Sequence, residues 1–115
     1  MSPRDPDDLL PLTPAVFHIL VALSDGERHG YSIMRQVATD TAGALQLGPG
    51  TLYDNLQKLL DQGLIAESTS EEESRRRYYR LTALGRKVLA ADLERLESAV
   101  KEARAKLRGA KPRRA

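Results

Sequence analysis

The sequence predicts a mainly α-helical chain interrupted by one short antiparallel hairpin, and three observations carry that prediction. Apolar residues recur at helical spacing in three stretches between residues 12 and 62. The period then changes to two between Leu64 and Leu81. A last stretch, residues 83–108, repeats its apolar residues at alternating spacings of four and three. With 115 residues, 41% of them hydrophobic and 4% aromatic, the chain suits one domain with an aliphatic core. Domains of this size are often helped by oligomerisation.

Residues 1–11 hold three prolines and three aspartates without periodicity, and are expected to form a flexible arm. Thr13 then caps a helix whose first position suits Pro14, with Leu12 placed to staple onto Phe17. Val16, Ile19, Leu20 and Leu23 form its stripe, and Asp25-Gly26 ends it. A second helix is expected from about Gly30 to Thr41, with Ile33, Met34 and Val37 on one face. Gly43 loosens the chain before a third helix, which starts at Gly48 or Pro49 and buries Leu52, Leu56, Leu59 and Leu60. Gly63 falls where a left-handed cap would end it.

Two strands follow, Leu64 to Ser70 and Arg75 to Leu81, joined by the polar turn Glu71-Glu72-Glu73-Ser74. In the second strand Arg75, Arg77, Tyr79 and Leu81 share one face, and Arg76, Tyr78 and Arg80 share the other. Thr82 caps the long final helix, with Gly85 in its first turn, where a glycine does least harm. The domain reading is therefore an arm at 1–11, a helical domain with a hairpin at 12–82, a separate helix at 83–108 and a basic disordered tail at 109–115.

Several function classes drop out. The chain has no cysteine, so it has no disulfide or thiolate metal site. Its start lacks the pattern of a signal peptide, and no apolar run approaches the ~20 residues of a membrane span, so a cytoplasmic protein is expected. His18 and His29 have no partner at motif spacing, and no phosphate-cradling glycine motif or nucleophile elbow occurs. We therefore expect no enzyme, no cofactor and no metal. The sequence pI of about 9.1 is misleading, because residues 101–115 hold seven basic side chains and one acid. The remaining 100 residues sum to −4, so any nucleic-acid site must rest on local clusters.

Two such clusters exist. Helix, helix and hairpin over Gly30 to Leu81 is the arrangement of a winged helix-turn-helix, in which the third helix enters the major groove of DNA. With its leucines turned inward, Thr51, Asn55 and Lys58 fall on the other side: two phosphate-reaching groups and an amide suited to bidentate pairing with adenine. The same polar face would equally suit an ordinary solvated helix. Arg75, Arg76 and Arg77 at the base of the hairpin suit backbone or minor-groove contacts, or else neutralise Glu71 to Glu73. In the last helix Leu89, Leu93, Leu96, Val100, Ala103 and Leu107 form a heptad seam, flanked by the i,i+4 pairs Glu97–Lys101 and Glu102–Lys106. That seam points to a homodimer, the alternative being packing onto the first helix of the same chain.

Taken in order, His29-Gly30-Tyr31-Ser32-Ile33, the run PGTLYDNLQKLLDQGLI (Pro49 to Ile65) and the run RRRYYRLTALGRKVL (Arg75 to Leu89) resemble the PadR family of transcriptional regulators. The likeness covers roughly residues 12 to 90 and is to the shorter branch, with a single long C-terminal helix. It implies a dimeric winged helix-turn-helix repressor of operator DNA, released by a small-molecule effector. By position it implies that Gly50, Thr51, Tyr53, Asn55 and Lys58 lie on the recognition helix, Tyr53 offering its hydroxyl to a phosphate, and that Arg75, Arg76 and Arg77 are the basic wing strand. Three departures stand out: Gly48 where serine is common, Asp54-Asn55 where proline and a small residue are common, and no tryptophan on which a planar drug could stack. The rival reading is a winged-helix adaptor that binds protein and no DNA.

Overall fold

Local capping chemistry sets where each helix begins. In this computed structural model, which describes residues 5–69 and 76–109, α1 (Pro14–Ala22) starts at Thr13, whose hydroxyl accepts from the Val16 N–H at 3.2 Å. A two-residue strand β1 (Arg28–His29) follows, then α2 (Gly30–Asp40), α3 (Pro49–Asp61), β2 (Ile65–Thr69), β3 (Arg77–Leu81) and α4 (Ala83–Gly109). The Glu71–Glu73 turn, Arg75 and the tail beyond Gly109 lie outside the described residues. The chain thus has the mainly helical, winged architecture expected, with a long C-terminal helix.

The sheet differs from the expected hairpin by one strand. Its order is β1-β3-β2, all antiparallel, so β3 is central. β2 meets β3 with Ile65 opposite Leu81 and Glu67 opposite Tyr79; β1 adds Arg28 opposite Tyr79 and His29 opposite Tyr78. Two residues are too few to show a period of two, which is why β1 left no trace in the pattern. Its consequence is large, because it ties the entry of α2 to the wing.

The core is aliphatic and draws on every layer. Ile19, Leu20 and Leu23 of α1, Ile33 and Val37 of α2, and Leu52, Leu56 and Leu59 of α3 meet Leu64, Ile65, Tyr79 and Leu81 from the wing's base. Val88 and Leu89 of α4 close it. Each side chain of this kind contributes roughly 1.5–3 kcal/mol on burial. Asp92, one turn further along, is buried as well, and its carboxylate accepts from Arg95 Nε at 2.8 Å.

Residues 5–11 correct the expectation of a flexible arm. Asp5 caps a short 3-10 turn, Pro6–Leu9, by accepting from the Asp7 N–H at 3.0 Å. The turn lies against α4, and Leu9, Leu10 and Leu12 pack onto the core. Apolar surface too short to be periodic is still worth burying.

The exits from α2 and α3 both follow the Schellman pattern. After α3, the N–H groups of Gly63 and Leu64 donate to the carbonyls of Leu60 and Leu59, with Gly63 at φ 75°. After α2 the same pair of bonds runs from Ala42 to Thr39 and from Gly43 to Ala38, and there Ala42 itself takes φ 51°. A Cβ in that region costs about 1–2 kcal/mol, partly offset by the lower chain entropy of alanine. Ala42→Gly should therefore stabilise the fold by roughly 0.5–1 kcal/mol, read as a higher urea midpoint at unchanged slope. A lower midpoint would contradict this account of the cap.

Candidate nucleic-acid interface

α3 buries Leu52, Leu56 and Leu59 and thereby turns its other side outward. Gly50, Thr51, Tyr53, Asp54 and Lys58 are exposed on α3, Thr51 and Lys58 opposite the leucines as their spacing predicts. Gly48 supplies no side-chain cap, and Pro49 opens the helix in its place. Asn55 is positioned on the same side but is engaged: its Nδ2 donates to the Thr51 carbonyl at 2.9 Å. That oxygen belongs to the helix ladder, so the amide can leave it without orphaning a buried group.

The wing brings two arginines to the same side of the molecule. Arg76 and Arg77 are exposed, and Arg77 Nη1 lies 4.0 Å from Glu67 Oε2 across the strand pair. An exposed pair at that distance is worth little, which leaves Arg77 available to another anion. Arg75 lies outside the described residues.

Between α2, the flank of α3 and β3 runs an open cleft of ≈ 910 Å³. Tyr31, Arg35, Tyr53, Arg76 and Arg77 line it, together with His29. Among the described residues that line it there is no carboxylate. The side formed by His29, Tyr31 and Arg35 was missed by reading the sequence. Its one local signal is an exposed tyrosine followed four residues later by an arginine, and Arg35 does lie over the Tyr31 ring, 5.8 Å from its centroid. Everything else about the cleft depends on β1 pairing with β3.

Two braces hold this geometry. Arg28 Nε donates to the Ala22 carbonyl at 2.8 Å, and its Nη1 to Ser32 Oγ at 3.1 Å, so this arginine joins α1 to α2. Gly30 admits Tyr53: a Cβ there would meet the Tyr53 hydroxyl, and Cζ at 2.9 Å. The Tyr53 hydroxyl is thus held beside the N-terminus of α2, at the edge of the cleft. Tyr79 forms part of the cleft wall; burial, then Glu67 and Tyr53, push its phenol above the usual value against the opposing influence of Arg77, so it stays protonated.

α4 places the heptad seam unevenly. Leu89 is 7% exposed and belongs to the chain's own core, which corrects its assignment to a dimer contact. Beyond it Leu93, Val100 and Leu107 are 41%, 50% and 80% exposed, with Leu96 half-buried and Ala103 exposed. The buried residues of α4 are Gly85, Val88, Leu89 and Asp92, so packing within one chain accounts for Leu89 and leaves Leu93, Val100 and Leu107 exposed. Leu93, Leu96 and Val100 floor a groove of ≈ 450 Å³ edged by Lys101, Arg104 and Arg108. Of the two flanking ion pairs expected, Lys106–Glu102 forms at 3.1 Å.

Among the described residues no cluster of His, Asp or Glu could hold a metal, and no helix is long and apolar enough to cross a membrane.

A sequence profile of the transcriptional regulator PadR-like family matches residues 19–91. The chain is similar to the transcriptional regulator Rv3488 of Mycobacterium tuberculosis, 34% identical over 74% of this chain and 78% of that protein. A PadR family transcription regulator from Clostridium difficile R20291 superposes with a TM-score of 0.73 at 28% identity, over 83% of this chain and 99% of its own. Bacillus subtilis PadR, solved in complex with operator DNA, superposes with a TM-score of 0.64 at 27% identity, over 72% of this chain and 47% of its own. The chain spans between 19% and 78% of the length of the curated relatives it matches.

Proposed function

The chain belongs to the PadR-like family of transcriptional regulators, and from that premise we propose that it is a homodimeric repressor that binds operator DNA in the cytoplasm and is released by a small-molecule effector. The observation that carries this reading is the shared direction of α3's polar face, Arg76 and Arg77, with a cleft between them that no acid lines among the described residues. The operator complex of the similar Bacillus subtilis protein supports it. α3 enters the major groove with Gly50 allowing close approach, Thr51 and Lys58 on phosphates, and Asn55 on an adenine edge once it leaves Thr51. Tyr53 reaches the backbone from the helix flank, and Arg75, Arg76 and Arg77 hold the duplex from the base of the wing. Leu93, Leu96, Val100, Ala103 and Leu107 join two copies. The effector does not stack on tryptophan, since the chain has none.

Sequencing the DNA that the purified protein retains from its own genome supplies the operator. On that duplex Asn55→Ala should cost roughly 1–3 kcal/mol and relax preference at one base position. Arg77→Ala should weaken operator and unrelated duplex alike, and reduce the salt slope by about one. If Asn55→Ala changed both duplexes equally, its base-reading role would be wrong. An adaptor would retain no DNA at all.

A further inference from the structure

His29 makes two contacts that cannot both be hydrogen bonds. Its Nδ1 accepts from the Ser32 N–H at 3.2 Å, capping α2. A ring nitrogen that accepts carries no proton, so in the neutral imidazole the proton is on Nε2. Nε2 in turn lies 3.4 Å from Arg76 Nη1, and a guanidinium only donates. Two donors therefore face each other in the wall of a cleft that no carboxylate lines among the described residues. The ring is held in this attitude from two further sides. β1 pairs His29 with Tyr78, and the two rings meet edge to face at 5.8 Å.

Two opposed donors need one acceptor between them. We propose that His29 Nε2–H and Arg76 jointly hold a non-bridging oxygen of a DNA backbone phosphate, making this part of the cleft a phosphate seat that joins the wing to the start of α2. This deepens the proposed DNA-binding function and rests on it. Arg76 supplies the charge; His29 supplies a neutral, pre-aimed donor that fixes the register of the backbone against α2.

The difference between a charged and a neutral donor gives the test. The probe is a duplex of about 20 base pairs of unrelated sequence at low salt, where backbone contacts alone govern binding. His29→Asn keeps a good capping acceptor for Ser32 but removes the Nε2 donor. It should weaken binding about tenfold and leave the salt slope unchanged, because no phosphate charge loses its neutralising cation. Arg76→Ala should weaken binding and reduce the slope by about one. Added to Arg76→Ala, His29→Asn should cost much less than it does alone, because the two groups share one oxygen. Wild-type protein that binds with a steep salt slope, beside a His29→Asn variant that binds equally well, would overturn the seat while leaving DNA binding intact. Wild-type protein that binds no duplex would overturn both. The tautomer is checked without DNA: 15N-histidine spectra of the free protein should show His29 protonated on Nε2, and a proton on Nδ1 would overturn the proposal.

Discussion

Leu96→Glu is expected to turn the protein into a monomer and to abolish cooperative operator binding. Leu96 stands in the middle of the seam that α4 leaves uncovered, with Leu93 and Val100 beside it on the floor of the same groove. In a symmetric pairing the substitution sets two carboxylates against each other in a contact that excludes water. An unpaired buried charge costs several kcal/mol, more than one seam of this length recovers. A monomer reaches only one half-site, whereas two recognition helices held about 34–36 Å apart enter successive major grooves on one face of the duplex. Losing the second contact removes its effective concentration, so operator affinity should fall by about 100-fold or more. Truncation after Leu107 should leave the dimer intact, because it keeps every apolar residue of the seam. Sedimentation of both variants decides this. A Leu96→Glu protein that stays dimeric would place the interface elsewhere, most directly on α1.

Gly85→Ala should destabilise the fold by roughly 2–4 kcal/mol, although glycine to alanine within a helix ordinarily gains about 1 kcal/mol. A Cβ at Gly85 would meet the Leu64 carbonyl oxygen, and Leu81 Cδ1 at 2.7 Å. The carbonyl has little room to retreat, since it accepts from the Thr82 N–H at 3.1 Å and shares the Thr82 hydroxyl proton, 3.0 Å away, with the Gly63 carbonyl at 2.7 Å. Thr82 Oγ1 in turn accepts from the Gly85 N–H at 3.0 Å, so the cap of α4 and the exit from α3 form one locked unit. The substitution must either push α4 off the wing or break that cap. Either change re-aims the helix proposed to join two copies, so operator binding should suffer beyond the loss of stability. The sign of the effect is the test: a raised urea midpoint would mean that α4 does not approach Leu64 as closely as described.

Much of this could be read from the chain because it is local. Helical stripes such as Leu52, Leu56 and Leu59, the Thr13 and Thr82 caps and the left-handed Gly63 all lie within one or two turns of the residues that reveal them. What escaped the sequence depends on residues distant along it. β1 exists because His29 finds Tyr78, and the cleft behind it follows from that pairing. Gly85 looks merely tolerated in a first turn until Leu64 is seen against it. Leu89 fits the heptad as well as Leu93 does, and only the packing of α4 onto the core separates them. Of the interface, the outward face of α3 was evident, whereas the tie of Asn55 to Thr51 and the His29 side of the cleft were not.

The salt dependence of affinity for the DNA recovered from its own genome tests the central claim most directly. A dimer that places about four to six phosphate-reaching side chains per subunit on the duplex releases a counterion for each phosphate it neutralises. The logarithm of the binding constant should then fall linearly with the logarithm of salt concentration, with a slope of roughly −7 to −11. A flat response, or no binding to any fragment of that DNA, would contradict a duplex-binding regulator built on α3 and the basic wing.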